Sequence, residues 1–192
     1  MTVAAGLLSS ARRYRGVSGR ALARQSASSQ AGLVELEHGV RDATSDRLDR
    51  ILRTLGYQVA ILPTRLRTAA AAAEDARARV EQGNVDAAIR VALQLASDLQ
   101  AADAALRVAL CVTPPALTGD ARLDALLAGV VDHELSRDGL PVPAWVAEDS
   151  RVLSTPWDLE PVPSLRPAAR RRTSAALRRH GVFLDTRELV NG

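Results

Sequence analysis

Aromatic side chains make up only 3% of this chain, whereas alanine is abundant and hydrophobic residues account for 47% of 192 positions. The core therefore has to be assembled from leucine and alanine, which favour closely packed helices over a sandwich of strands. The expected fold is mainly α. The length suffices for one large domain or two small ones. No apolar run approaches the roughly 18 residues of a membrane span. The opening MTVAAGLLSS has neither the basic leader nor the long apolar stretch of a signal peptide, so the expected location is the cytoplasm. The single cysteine, Cys111, lies among apolar neighbours in RVALCV and reads as a small buried side chain.

All 25 basic residues are arginine, and they are unevenly spread. Residues 1 to 67 hold 11 arginines against 5 acids, residues 68 to 163 hold 7 against 15, and residues 164 to 192 hold 7 against 2. Positive charge collects at the two ends. Arg12, Arg13, Arg15, Arg20 and Arg24 all fall within residues 1 to 30, where no acid occurs. Such a footprint suits either a phosphate-facing surface or a solvated helix face. The absence of lysine removes Schiff-base chemistry and a P-loop lysine together. His38, His133 and His180 are far from one another and from Cys111, so surface or capping roles are expected rather than metal ligation. Asp132 and Glu134 flank His133, but residues one apart on a helix point to different sides. No enzymatic activity, cofactor or metal is expected.

The first third reads as four short helices. Leu7, Leu8, Ala11 and Tyr14 recur at helical spacing over residues 3 to 15. Ser18 caps a second helix holding Ala21, Leu22 and Gln25, and Ser29 caps a third from Gln30 to Glu37, closed by Gly39. Ser45 is expected to cap a fourth, with Leu48, Ile51, Leu52 and Leu55 as its buried stripe and Gly56 as its stop. Gly32 interrupts the third helix at a cost of about 1 kcal/mol relative to alanine. Either something approaches closely there, or the glycine relieves crowding against the second helix.

Residues 17 to 56 resemble the phage-repressor (Cro/cI, or XRE) family of helix-turn-helix domains. The likeness rests on Leu22 and Ala23 in the second helix, Ser29 and Gln30 opening the third, Leu33, Leu36, Glu37 and Gly39 closing it, and Leu48, Leu55 and Gly56 in the fourth. Ala27 stands where the turn often has glycine, Gly19 where glutamine is frequent, and Ala43 where proline is frequent. The resemblance implies that the third helix lies in a major groove of double-stranded DNA, with Gly32 allowing a close approach. Gln30 would pair with adenine, Ala31 would meet a thymine methyl, and Val34 would lie one turn further on. Glu35 would repel phosphate or seek a cytosine amino group, and Ser18, Ser29, Arg13, Arg20 and Arg41 complete the expected DNA-binding set.

After Gly56, YQVAILP alternates Tyr57, Val59 and Ile61 with Gln58, Ala60 and Leu62 and reads as one strand ending at Pro63. A lone strand needs a partner. Pairing of Tyr57, Val59 and Ile61 with the same strand of a second copy would make a homodimer, and an extended linker clipped to its own domain is the alternative. The expected domains are 1–63, carrying the DNA-binding helices, and 64–192. In the second, a helix from Arg65 to Gln82 and a long one carrying Ile89, Leu93, Ala96, Leu99, Ala102, Leu106 and Leu110 make a hairpin. A further helix from Asp120, lined by Leu123, Leu126, Leu127, Val130, Val131 and Leu135, closes a bundle on it.

From Gly139 the chain is rich in proline and holds Trp145 and Trp157, which either seal the bundle or anchor a partner protein. A basic helix from Ala168 to Arg179 follows, then a short strand over Val182 to Leu184. LDALLAGVVDHEL, GLPVPAWV and RRHGVFLDTRELV, in that order, resemble the C-terminal half of actinobacterial helix-turn-helix antitoxins found beside nucleotidyltransferase-like toxins. That resemblance implies a cognate toxin as partner, met by Trp145, Trp157, Arg171, Arg178 and Phe183, unless the basic tail folds back on its own acidic helices. The expected function is a sequence-specific DNA-binding transcriptional repressor that serves as the autoregulatory antitoxin of a toxin-antitoxin pair. The alternative is a protein-binding antitoxin with little DNA affinity.

Overall fold

The computed structural model describes residues 3–189, and the chain divides into two compact units, Met1–Pro63 and Thr64–Gly192. Both are mainly helical. No helix among the described residues is long and apolar enough to cross a membrane.

The first unit contains α1 (Val3–Tyr14), α2 (Gly19–Gln25), α3 (Gln30–Glu37) and α4 (Ser45–Thr54). Hydroxyl side chains start three of them. Ser18 Oγ accepts from the Ala21 N–H, Ser29 Oγ from the Gly32 N–H, and Thr44 Oγ1 from the Arg47 N–H. Thr44, one residue before the expected Ser45, is therefore the cap of α4. Leu8, Leu22, Leu33, Leu36, Ile51, Leu52 and Leu55 close one apolar core among the four helices. Even full burial of a leucine contributes only about 1.5–3 kcal/mol, so a core this small depends on every helix docking together. Ala27 sits in the turn between α2 and α3 with φ +50°, a left-handed conformation that suits glycine better than alanine.

The expected strand over Tyr57–Leu62 does not form. The Tyr57 N–H donates to Leu52 O at the end of α4, and its ring packs on the core of its own unit. The Val59 N–H donates to Asp49 Oδ1 at 3.2 Å. Beyond Val59 no ladder is present, because a strand needs a neighbour and a single chain supplies none here. Tyr57 is thus a core contact of its own unit, while Val59 and Ile61 are exposed at 45% and 94%.

The second unit is built around one helix. α5 (Ala69–Glu81) and α6 (Val85–Ala101) form the expected hairpin, with α5 capped by Thr68 and beginning at Ala69 instead of Arg65. The long helix expected beyond Asn84 breaks at Ala102–Asp103, where Asp103 caps a separate α7 (Ala104–Cys111). The Arg107 guanidinium binds the carbonyls that this break frees. It donates to Leu99 O at 2.7 Å and Ala102 O at 3.1 Å, and to Glu134 O at 3.3 Å.

α8 (Ala121–Ser136) packs against α5, α6 and α7, and later against the C-terminal elements. It is buried on nearly every side, Asp124, Asp132 and Glu134 included, and not only along the expected leucine and valine stripe.

The irregular segment after Gly139 is fixed onto α8 by two short 3-10 turns, Ala144–Ala147 and Asp149–Arg151. β1 (Trp157–Asp158) then pairs in parallel with β2 (Val182–Phe183), Trp157 opposite Val182. The expected tail helix is two helices, α9 (Arg166–Arg172) and α10 (Ala175–Arg179), broken where Ser174 caps the second.

Candidate nucleic-acid interface

Within the first unit, α3 is held by its buried side and by one ion pair. Leu33 and Leu36 enter the core. Glu37, its last residue, receives Arg12 of α1 through Nε at 2.5 Å and Nη2 at 2.8 Å, while Arg12 Nη1 also donates to Val17 O. That hydrogen bond holds the guanidinium of Arg12 above its ordinary pKa.

The opposite side of α3 is open. Gln30, Ala31, Val34 and Glu35 are all exposed, Val34 at 44%. Ser29, also exposed, spends its hydroxyl on the helix cap, as does Ser18. Arg13, Arg20, Arg24, Arg47 and Arg50 make no ion pair among the described residues, whereas Arg41 stands 3.6 Å from Glu35. Such uncompensated guanidiniums on one small unit supply the positive field that draws polyanions.

Gly32 has an internal explanation. A Cβ there would lie 2.8 Å from Ser29 Oγ and 3.3 Å from Arg47 Nη2. The missing methyl makes room for the capping hydroxyl and for a guanidinium from α4. No atom of α2 lies within 4 Å of that position, so crowding against α2, one of the two expected causes, is not the reason for the glycine.

The residues expected to meet a partner protein are used differently. Trp145 is 1% exposed and its Nε1–H donates to Cys111 O at 2.9 Å, with the Arg151 guanidinium 5.3 Å from the ring centroid. It is a core residue and no docking anchor. Arg178 donates to the carbonyls of Thr173, Arg170 and Arg171, closing the end of α9. It too is structural. Trp157 and Phe183 are half-buried, beneath Arg122 at 5.8 Å and Arg170 at 4.7 Å. Arg171 and Arg178 are both exposed and neither makes an ion pair among the described residues, but Arg178 spends its guanidinium on carbonyl oxygens.

The rest of the tail is also matched. Arg170 binds Asp158 at 2.6 and 2.7 Å, Arg172 and Arg187 share Asp185, and Arg179 binds Asp132. The basic tail folds back on acids of its own unit.

One cluster was not legible beforehand. His180, expected at the surface or as a cap, ends α10 but is only 3% exposed, with Nδ1 2.8 Å from Arg151 O and Nε2 3.3 Å from Asp132 Oδ2. Burial alone would raise the Asp132 carboxyl. Hydrogen bonds from His180, Ser136 and Arg179 outweigh it and bring the group down to about 2. Burial pushes the Cys111 thiol up to about 12, which removes thiolate chemistry at neutral pH. Among the described residues no three histidine, cysteine, aspartate or glutamate side chains are grouped to hold a metal. No protein-family model, curated protein or solved structure matches the chain at a significant level.

Proposed function

We propose that the chain is a DNA-binding transcriptional regulator of the helix-turn-helix kind, with α3 as the helix that enters the major groove. The observation that carries this reading is the presence on one small unit of an open α3 face, Gln30, Ala31, Val34 and Glu35, and of five arginines, Arg13, Arg20, Arg24, Arg47 and Arg50, that make no ion pair among the described residues. The amide of Gln30 suits adenine, and the methyl groups of Ala31 and Val34 suit thymine. Arg13, Arg20, Arg24, Arg47 and Arg50 are the phosphate-facing set.

Binding as a two-fold pair belongs to this reading, since such helices read half-sites about one helical turn apart. The segment from Gln58 to Leu62 is where a second copy would add. Among the described residues, the main chain of Gln58, Ala60, Ile61 and Leu62 makes no hydrogen bond, and Ile61 is almost wholly exposed. The internal pairing of the tail arginines favours action through DNA over docking of that tail on an acidic protein.

A fluorescence-anisotropy titration of the full chain against a labelled duplex, repeated at several salt concentrations, tests the proposal. Affinity should fall steeply with salt. Absence of any duplex binding at low salt removes it.

A further inference from the structure

The first unit has five carboxylates, and four have work within the fold. Glu37 is bound by Arg12, and Asp49 by Arg53 and the Val59 N–H. Asp42 accepts from the Ala43 N–H, and Asp46 lies in the first turn of α4, where a negative charge suits the helix dipole. Glu35 is different. It stands on the open face of α3 with its side chain 46% exposed, and its only ion-pair partner among the described residues is Arg41, 66% exposed.

The backbone brings these two together. Gly39, at φ +69°, turns the chain after α3, and the N–H groups of Val40 and Arg41 then both donate to Glu35 O, at 2.9 and 3.3 Å. The Arg41 side chain therefore starts from beside the residue it pairs with. An ion pair this open contributes about 0–1 kcal/mol, so the fold has little need of it.

A bare carboxylate would be repelled by a phosphate-lined groove, whereas one accompanied by a guanidinium is not. The major-groove edge offers a carboxylate two amino donors. Adenine N6 stands beside the acceptor N7, which repels it, while cytosine N4 is a donor with no acceptor on the same base edge. Resting on the DNA reading above, we infer that Glu35 is a specificity-determining residue that accepts a hydrogen bond from the N4 amino group of a cytosine, with Arg41 supplying the charge that lets it sit among phosphates.

Selection of duplexes from a randomised pool, using the full wild-type chain and the variants Glu35→Ala, Glu35→Gln and Arg41→Ala, tests this. The wild type should keep a C·G pair at one position of each half-site. Glu35→Ala should lose about 5- to 150-fold of discrimination at that position and no other. Glu35→Gln, whose amide both donates and accepts, should move the preference there towards adenine. Arg41→Ala should weaken binding to every duplex without changing the letter selected. If the two Glu35 variants select the same letters as the wild type throughout, the inference falls while the DNA reading stands. If the wild type retains no duplex at low salt, both fall.

Discussion

Arg12 of α1 holds both carboxylate oxygens of Glu37, at 2.5 and 2.8 Å, and so clamps the last residue of α3 to the first helix of the unit. The two side chains are 19% and 15% exposed, which places the pair between the surface and buried regimes. Arg12→Ala strands a largely buried carboxylate. It should lower the stability of the chain by about 1–3 kcal/mol in urea denaturation. A loss below a few tenths of a kcal/mol would show that the clamp is dispensable.

Ala27 keeps a left-handed φ of +50° in the turn leading into α3. An L-residue is strained there by about 1–2 kcal/mol, and glycine relieves this while giving back about 0.4–1 kcal/mol of unfolded-chain entropy. Ala27→Gly should raise the midpoint of thermal unfolding. A lowered midpoint would refute the strain.

Gly32 and Ser29 should prove coupled. In the wild type, a methyl at position 32 would crowd Ser29 Oγ at 2.8 Å, disturbing the cap that starts α3. Gly32→Ala should therefore give no gain in stability despite alanine's better helix propensity of about 1 kcal/mol. Introduced into a Ser29→Ala background, where the hydroxyl is gone, the same change should stabilise by about 0.5–1 kcal/mol. A double-mutant cycle that is additive within error would contradict this account.

The Asp132 carboxyl, held down at about 2, ties acid sensitivity to the packing of α10 on α8. Its folded value lies below that of an unfolded aspartate, near 3.9. The stabilisation is therefore fully present above about pH 4 and is lost as pH falls through about 2. The expected size is about 2 kcal/mol. Asp132→Asn should flatten the stability profile in that acid window relative to wild type, as followed by denaturant unfolding at stepped pH. Parallel profiles would exclude Asp132 as the source.

The parts of the fold that were legible were written in short-range chemistry. Ser29 as cap and Gly39 as stop bracket α3 at Gln30 and Glu37, the bounds expected from the sequence. The break of the long helix was missed because Leu99, Leu106 and Leu110 continue one stripe across it. The signal was Asp103, a strong N-cap residue placed before Ala104. The strand pairing of Trp157 with Val182 joins residues too far apart for local pattern to reveal, and Tyr57–Leu62 has a strand's alternation without a strand's neighbour. His180 was hidden by the arginines on either side of α10, which make its surroundings look exposed. At the candidate interface, the exposed α3 residues followed from helical spacing, while the approach of the Arg47 guanidinium to the space beside Gly32 depends on tertiary placement that local pattern does not encode.

The inward use of arginine in the second unit changes what the net charge of the chain means. Thr64–Gly192 carries 16 arginines against 17 carboxylates, and Met1–Pro63 carries 9 against 5. Several guanidiniums of the larger unit end on main-chain oxygen, as Arg107 and Arg178 do, where they act as rigid brackets that a lysine could not replace. The net positive charge behind the chain's sequence pI of about 9.9 therefore comes from the smaller unit. On a polyanionic matrix the chain should be retained as a 63-residue cation towing a nearly neutral mass twice its length.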